Sequence, residues 1–266
     1  MESTPHSPFD PLSYDIMLNP PETSQVVGKL VSGEIKIMKL FSCDPALFAR
    51  VRDEVMGLVM AGGQALDAGH PTFDYIAKWD PGWQPKPGTV IQLSLFNSRG
   101  DVKFFEEDHH WFPGRTLNPN LRAVPEFFAT YFLDSELQNC RIQGLTGGGE
   151  LGLHRERIVG IPKREQHYKL RFHLPIVTNP GVKFLMDGQQ FQMETGSVYI
   201  FNQWCLHGVA NQSDQLRVHL YWDLYLNPYI VNDIIAPATE AARSSLPRKC
   251  RSAMADRPTE PATEAA

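Results

Sequence analysis

The sequence predicts a mainly β protein with flanking helices, its core a sandwich or barrel of jelly-roll type. Two observations carry this. Between residues 140 and 226, short strand-like stretches recur, separated by turn signals at Gly147-Gly148-Gly149, Asn179-Pro180-Gly181 and Asp187-Gly188. Many short strands punctuated in this way close into a barrel or stack as two sheets. In two of the stretches the alternation also sorts chemistry, because successive strand side chains point to opposite faces. Lys169, Arg171 and His173 oppose Leu170, Phe172 and Leu174, while Arg217, His219, Tyr221 and Asp223 oppose Val218, Leu220 and Trp222. Such strands imply a polar lumen suited to anions.

The elements follow in order. Residues 1–28 carry Pro5, Pro8, Pro11, Pro20 and Pro21 with little periodicity and read as an extended arm. Residues 34–40 alternate as a strand. Ser42 and Asp44 offer N-caps, Pro45 suits a first helical turn, and Leu47, Phe48, Val51, Val55, Leu58 and Val59 recur at helical spacing until Gly62-Gly63. Residues 67–119, rich in Pro, Gly, Trp and Asp, read as strands joined by long loops. Pro125 opens a second helix with Phe127, Phe128, Tyr131 and Phe132 on its apolar face. Strands are then expected at 140–145, 167–175, 182–186, 191–193, 197–201 and 216–226, with Asp187-Gly188 as a two-residue hairpin turn. Beyond Ala236 the composition turns to Ala, Pro, Glu and Ser, and Pro-Ala-Thr-Glu-Ala-Ala occurs at 237–242 and again at 261–266. The expected organisation is an arm (1–28), one domain with flanking helices (29–235) and a low-complexity, mobile tail (236–266).

At 266 residues, 42% hydrophobic and 21% charged, the chain can bury one substantial core. A net charge of −5 with no basic tract argues against nucleic-acid binding. No apolar run reaches the ~18 residues of a membrane span, and Met1-Glu2-Ser3-Thr4-Pro5 lacks the basic and apolar regions of a signal peptide. The cysteines at 43, 140, 205 and 250 form no CxxC pair. A cytoplasmic location is expected, with a small-molecule substrate and neither nucleic acid nor membrane as partner; the oligomeric state is left open.

His154 and Glu156 lie two residues apart, so in extended chain both side chains reach one side. His207 supplies a second imidazole, and Arg217 follows on a neighbouring strand. Two His and one carboxylate on one face of an ion leave the opposite positions open, the pattern of non-haem Fe(II) oxygenases. An Arg beside it can hold a dicarboxylate bidentately. Each residue alone has a plainer account: Glu156 as a surface salt bridge with Arg155 or Arg157, Arg217 as an exposed strand charge, Arg171 and His173 as a satisfied lumen network. Glu106-Glu107-Asp108-His109-His110 reads as a solvated loop, since consecutive strand residues cannot share an ion. Cys205 reads as a buried structural thiol, and Tyr75, Trp79, Trp83 and Trp111 as a lid or as core.

Leu153-His154-Arg155-Glu156, residues 168–174, residues 196–201 leading to His207, and residues 216–220 around Arg217 resemble the iron- and 2-oxoglutarate-dependent oxygenases of the aspartyl/asparaginyl β-hydroxylase group, which includes bacterial proline cis-hydroxylases. The likeness covers roughly 140–227. It implies a double-stranded β-helix (jelly roll, cupin-like) core and a dioxygenase acting as a hydroxylase on a small polar or anionic metabolite. It implies Fe(II), with 2-oxoglutarate and O2 as cosubstrates. His154, Glu156 and His207 would be the metal ligands. Arg217, His173 and Gln143 would bind 2-oxoglutarate, and Arg171 and Arg141 the substrate. Glu156 departs from the pattern: amino-acid hydroxylases usually have Asp there, and aspartyl/asparaginyl hydroxylases proper have no carboxylate. Two other readings stand beside this one. Gly196, His207 and Asn211 match the end of the second cupin motif, as in a metalloenzyme that does not use 2-oxoglutarate, although position 156 breaks the His-x-His of the first motif. A jelly roll that binds a ligand without turnover is the third.

Overall fold

β7 (Lys169–Val177) and β12 (Arg217–Tyr225) are each nine residues long, antiparallel to one another and buried almost throughout. They form the centre of a six-stranded sheet whose order is β1-β10-β7-β12-β5-β2, with β1 at Ile37–Ser42, β2 at Val90–Ser94, β5 at Leu137–Leu145 and β10 at Ser197–Phe201. A four-stranded sheet, β6-β11-β8-β9, faces it, built from β6 (Glu150–His154), β8 (Val182–Met186), β9 (Gln189–Phe191) and β11 (His207–Asn211). β3 (Phe96–Asn97) and β4 (Thr116–Leu117) form a separate short ladder. The structure, a computed structural model, describes residues 21–60, 87–100, 114–133, 135–156 and 168–238. The fold is a jelly roll: mainly β, with helices on one side.

The alternation read from the sequence decides which face goes where. The apolar sides of β7 and β12 turn outward onto helices α2 (Pro45–Met60) and α3 (Ala123–Tyr131), joining one core with Val51, Val55, Phe127 and Phe128. Trp222 is its centre. Phe172 stacks on it at 5.7 Å and 9°, and Phe127 and Phe128 meet it edge-on at 5.4 and 5.5 Å, the geometry that ring quadrupoles favour. The polar sides of the same strands turn inward, toward the small sheet. A second apolar cluster, including Phe184, Met186, Phe201 and Val209, joins the two sheets. The hairpin between β8 and β9 turns on Asp187 and Gly188 at φ +47° and +75°, the positive angles of a two-residue hairpin turn.

Several expectations need correction. Residues 21–31 form helix α1 (Pro21–Val31) rather than extended arm, with Val26, Val27 and Leu30 buried in the large core. Pro21 stands in the first turn, where proline is tolerated, and the paired prolines disguise the helical spacing behind it. β6 and β11 are full strands where the sequence suggested only extended chain. A short π-helix, Ile230–Ile235, follows β12, and helical chain continues from it to a buried Ala238, so the domain does not stop at residue 235. The loop cluster at 106–110, the aromatic residues 75, 79, 83 and 111, Cys250, residues 1–20 and the tail beyond 238 lie outside the described residues. Among the described residues no helix is long and apolar enough to cross a membrane.

Candidate metal and anion site

Strand register arranges the inward residues in rows. Ser94, Arg141, Tyr221, His173 and Tyr199 lie abreast across β2, β5, β12, β7 and β10. One row toward the start of β12 are Gln92, Gln143 and His219, and one row beyond that is Arg217. On the other side of the first row, Asp223, Arg171 and Phe201 are abreast.

His154 ends β6 and His207 begins β11, and the two are paired partners with ring centroids 4.3 Å apart. Glu156 lies just past the strand, where its backbone N–H donates to the Gln203 carbonyl at 2.8 Å and turns the side chain back. Its Oε1 is 3.5 Å from His154 Nε2 and 3.7 Å from His207 Nε2. Ligand atoms of all three residues lie within 4.8 Å of one another. Exposure grades from His154 (42%) through Glu156 (31%) to His207 (5%), so the site opens on one side.

The imidazoles are oriented by backbone carbonyls: Nδ1 of His154 bonds Gly152 O at 2.7 Å, and Nδ1 of His207 bonds Cys205 O at 2.8 Å. A carbonyl only accepts, so both Nδ1 atoms carry the proton and both Nε2 atoms present lone pairs to one point. The donor set therefore fits a divalent transition-metal ion. Without an ion, hydrogen bonding to Glu156 raises the His154 pKa. Burial alone would raise the Glu156 carboxyl, but the Arg171 charge and the two histidine contacts hold it well below its usual range.

Arg171, expected to contact substrate, donates from Nε (2.8 Å) and Nη2 (3.0 Å) to Asp223 and from Nη1 (2.6 Å) to Glu156. Lys169 Nζ donates to the same Asp223 at 3.0 Å. Arg217 is different. It is fully buried, and its Nη1 donates to Gln143 Oε1 at 2.9 Å. Its Nε and Nη2 find no partner among the described residues, nor do the Nε2 atoms of His173 and His219. Burial pulls the Arg217 guanidinium down to about 9. Burial, then the Arg217 charge, holds His173 and His219 well below the usual histidine range, so both imidazoles are neutral.

A polar cleft of about 500 Å³ leads to the site, with Gln92, Arg141, Gln143, Tyr221, Arg171 and the metal-facing His154 among its walls. Behind it a chamber of about 30 Å³ reaches His173, His207, Phe184 and Phe201. Gln143 lines both spaces, whereas Arg217 stands behind Gln143 and Phe184 and lines neither. The structure thus gathers His154, Glu156 and His207 with Arg171, His173 and Gln143, sets Arg141 in the outer cleft, and leaves Arg217 one side chain deeper. Sequence reading placed Asp223, Lys169, Tyr221 and His219 on this face without giving them roles, and missed Gln92, whose Nε2 donates to the Tyr221 hydroxyl at 2.7 Å. Cys205 is a buried thiol, raised to about 11 by burial first.

The chain is similar in part to several solved structures. Salicylate 1,2-dioxygenase from Pseudaminobacter salicylatoxidans shares 24% identity over 32% of this chain at a TM-score of 0.25, and the chain spans 21% of its length. A 2OG-Fe(II) oxygenase family oxidoreductase from Burkholderia pseudomallei shares 12% identity over 52% of this chain and 68% of its own, at a TM-score of 0.36. A cupin domain from Bordetella pertussis Tohama I shares 20% over 34% of this chain and 90% of its own, at 0.26. No curated protein matches. Residues 112–226, which hold every metal-, cosubstrate- and substrate-binding residue implied by the resemblance, match the Aspartyl/Asparaginyl beta-hydroxylase family, the family its motifs resemble.

Proposed function

We propose that the protein is an Fe(II)- and 2-oxoglutarate-dependent dioxygenase that hydroxylates a small polar or anionic metabolite, with release of succinate and CO2. The observation that carries this reading is Arg217: a fully buried guanidinium with two nitrogens unpartnered among the described residues, next to neutral histidines and one side chain from a His-Glu-His cluster. A buried cation without a counter-charge is costly, and a dicarboxylate is the ligand that would relieve it.

His154, Glu156 and His207 would hold the ion, which when bound supplies the redox chemistry that couples O2 to the oxoacid and the substrate. Arg217 binds the far carboxylate of the oxoacid, with Gln143 swinging from its present bond or sharing it. His173 stays neutral and offers a hydrogen bond without adding charge. Arg141, in the outer cleft, orients an anionic substrate. The apolar walls at Phe184 and Phe201 exclude water from the inner end.

The test is succinate formation by purified protein given Fe(II), 2-oxoglutarate and a metabolite panel, scored also by product mass. Turnover of 2-oxoglutarate that requires both additions, and that falls at least ~100-fold in Arg217→Ala, is the expected result. Turnover unaffected by Arg217→Ala would refute the assignment.

A further inference from the structure

Asp223 lies fully buried in the middle of the large sheet. Both its oxygens are occupied: Oδ1 by Arg171 Nε at 2.8 Å, Oδ2 by Arg171 Nη2 and by Lys169 Nζ, each at 3.0 Å. Burial would raise this carboxyl, but the Arg171 and Lys169 charges outweigh it and hold the group at about 2. Forked onto Asp223 and laid over the Tyr221 ring at 4.9 Å, the planar guanidinium has a fixed orientation. Its remaining terminal nitrogen, Nη1, is thereby aimed at Glu156 Oε1, 2.6 Å away. Glu156 needs such a hold. It follows the end of β6, has no ladder partner among the described residues, and its long side chain can leave the histidines through three rotatable bonds.

The four charges balance: Lys169 and Arg171 against Asp223 and Glu156. We propose that Asp223 is a positioning residue of the metal site, which neutralises Lys169 and clamps Arg171 so that Arg171 holds Glu156 turned toward His154 and His207. Affinity for the divalent ion then depends on a carboxylate whose own oxygens face away from it. This rests on the reading of His154, Glu156 and His207 as metal ligands, and it gives Arg171 a task other than the substrate contact expected from the sequence. The sign of the effect follows from the charges. Asp223→Asn keeps the shape but leaves two cations against the single carboxylate of Glu156, an excess of one charge beside a site for a doubly charged ion, where they repel the ion and compete for Glu156. Replacing Lys169 by Met in the same protein restores the balance.

The experiment is a Co(II) titration of metal-free protein, followed by calorimetry and by the visible absorption bands of the bound ion, with melting curves confirming that each variant is folded. Asp223→Asn is expected to bind Co(II) at least ~10-fold more weakly, within the usual range for loss of a group that supports a ligand, and with altered bands. Asp223→Asn/Lys169→Met is expected to regain most of that loss, which a purely structural role for Asp223 would not produce. A folded Asp223→Asn with wild-type affinity and spectrum overturns the proposal, as does a double variant no tighter than the single one. Should Asp223→Asn fail to fold, Arg171→Lys decides: it keeps the charge but cannot fork onto Asp223 while reaching Glu156. It should weaken Co(II) binding ~10-fold, and unchanged affinity overturns the proposal. Wild-type protein that binds no Co(II) would sink the metal reading and this proposal with it, whereas wild-type binding with indifferent variants sinks this proposal alone.

Discussion

Replacing Arg217 by methionine should make the protein more stable while abolishing its response to 2-oxoglutarate. The guanidinium is fully buried, and burial pulls its pKa from the usual arginine range down to about 9. At ~1.4 kcal/mol per tenfold change in proton affinity, keeping the cation in the folded state costs up to roughly 5 kcal/mol near neutral pH. Methionine fills a similar volume without that cost. It forfeits the hydrogen bond to Gln143, about 1 kcal/mol, and the contact with the Phe184 ring, about 1 kcal/mol. A net gain of about 1–3 kcal/mol is expected. Urea unfolding at pH 7 without added dicarboxylate measures it. The folded-state pKa is depressed, so the unfolded chain binds more protons from about pH 9 up to the usual arginine range, and wild-type stability recovers as pH rises through that window. The advantage of Arg217→Met should therefore shrink above pH 9. With metal present throughout, adding 2-oxoglutarate at about 100 times Kd should stabilise the wild type by a further ~2.7 kcal/mol and the variant not at all. A variant at least 1 kcal/mol less stable than wild type at pH 7 would show that the cation is already compensated, and the case for an anion site behind Gln143 would collapse.

Two further outcomes are expected. A Cβ at Gly208 would stand 2.9 Å from the Leu151 carbonyl oxygen, so Gly208→Ala must push β6 from β11 and His154 from His207. Metal affinity should drop several-fold in a protein that still folds, and a titration showing no change would mean that the pair tolerates the shift. Asp223 at about 2, against 3.8 when free, stabilises the fold by about 2 kcal/mol above pH 4 and loses that contribution as pH falls toward 2. Asp223→Asn should flatten the acid slope of unfolding free energy between pH 4 and 2, and an identical slope would contradict the assignment.

The parts of the fold legible in the sequence are those whose signal is local. β8 and β10 fall at 182–186 and 197–201 as expected, because Gly181, Asp187-Gly188 and Gly196 bound them. α2 follows from its cap residues and the spacing of Leu47, Val51, Val55 and Val59. β11 reads His-Gly-Val-Ala-Asn, with one β-branched residue in five, and it is a strand because β6 and β8 flank it on both sides. That support is tertiary and leaves no trace in the local pattern. The site divides the same way. Residue type and face were enough to nominate His154, Glu156, His207 and Arg217. The link between Arg171 and Asp223 spans 52 residues and depends on the register of β7 against β12, which a single chain does not disclose. Nor does alternation reveal that Arg217 lacks a counter-charge among the described residues, since an exposed strand arginine would show the same pattern.

The candidate metal ligands belong to one layer and the anion-facing groups to the other. His154 and His207 ride on the small sheet, whereas His173, Arg171 and Arg217 project from the large one. An ion and an oxoacid joined to it would thus act as a rivet through both layers, adding to the apolar cluster around Phe184 and Phe201 and the Glu156–Arg171 bond. Among the described residues β6 is the edge strand of its sheet, paired on one side only. Loss of such a rivet would be felt there first, so under the proposed function holding cosubstrate and holding the sandwich shut would be one and the same mechanical event.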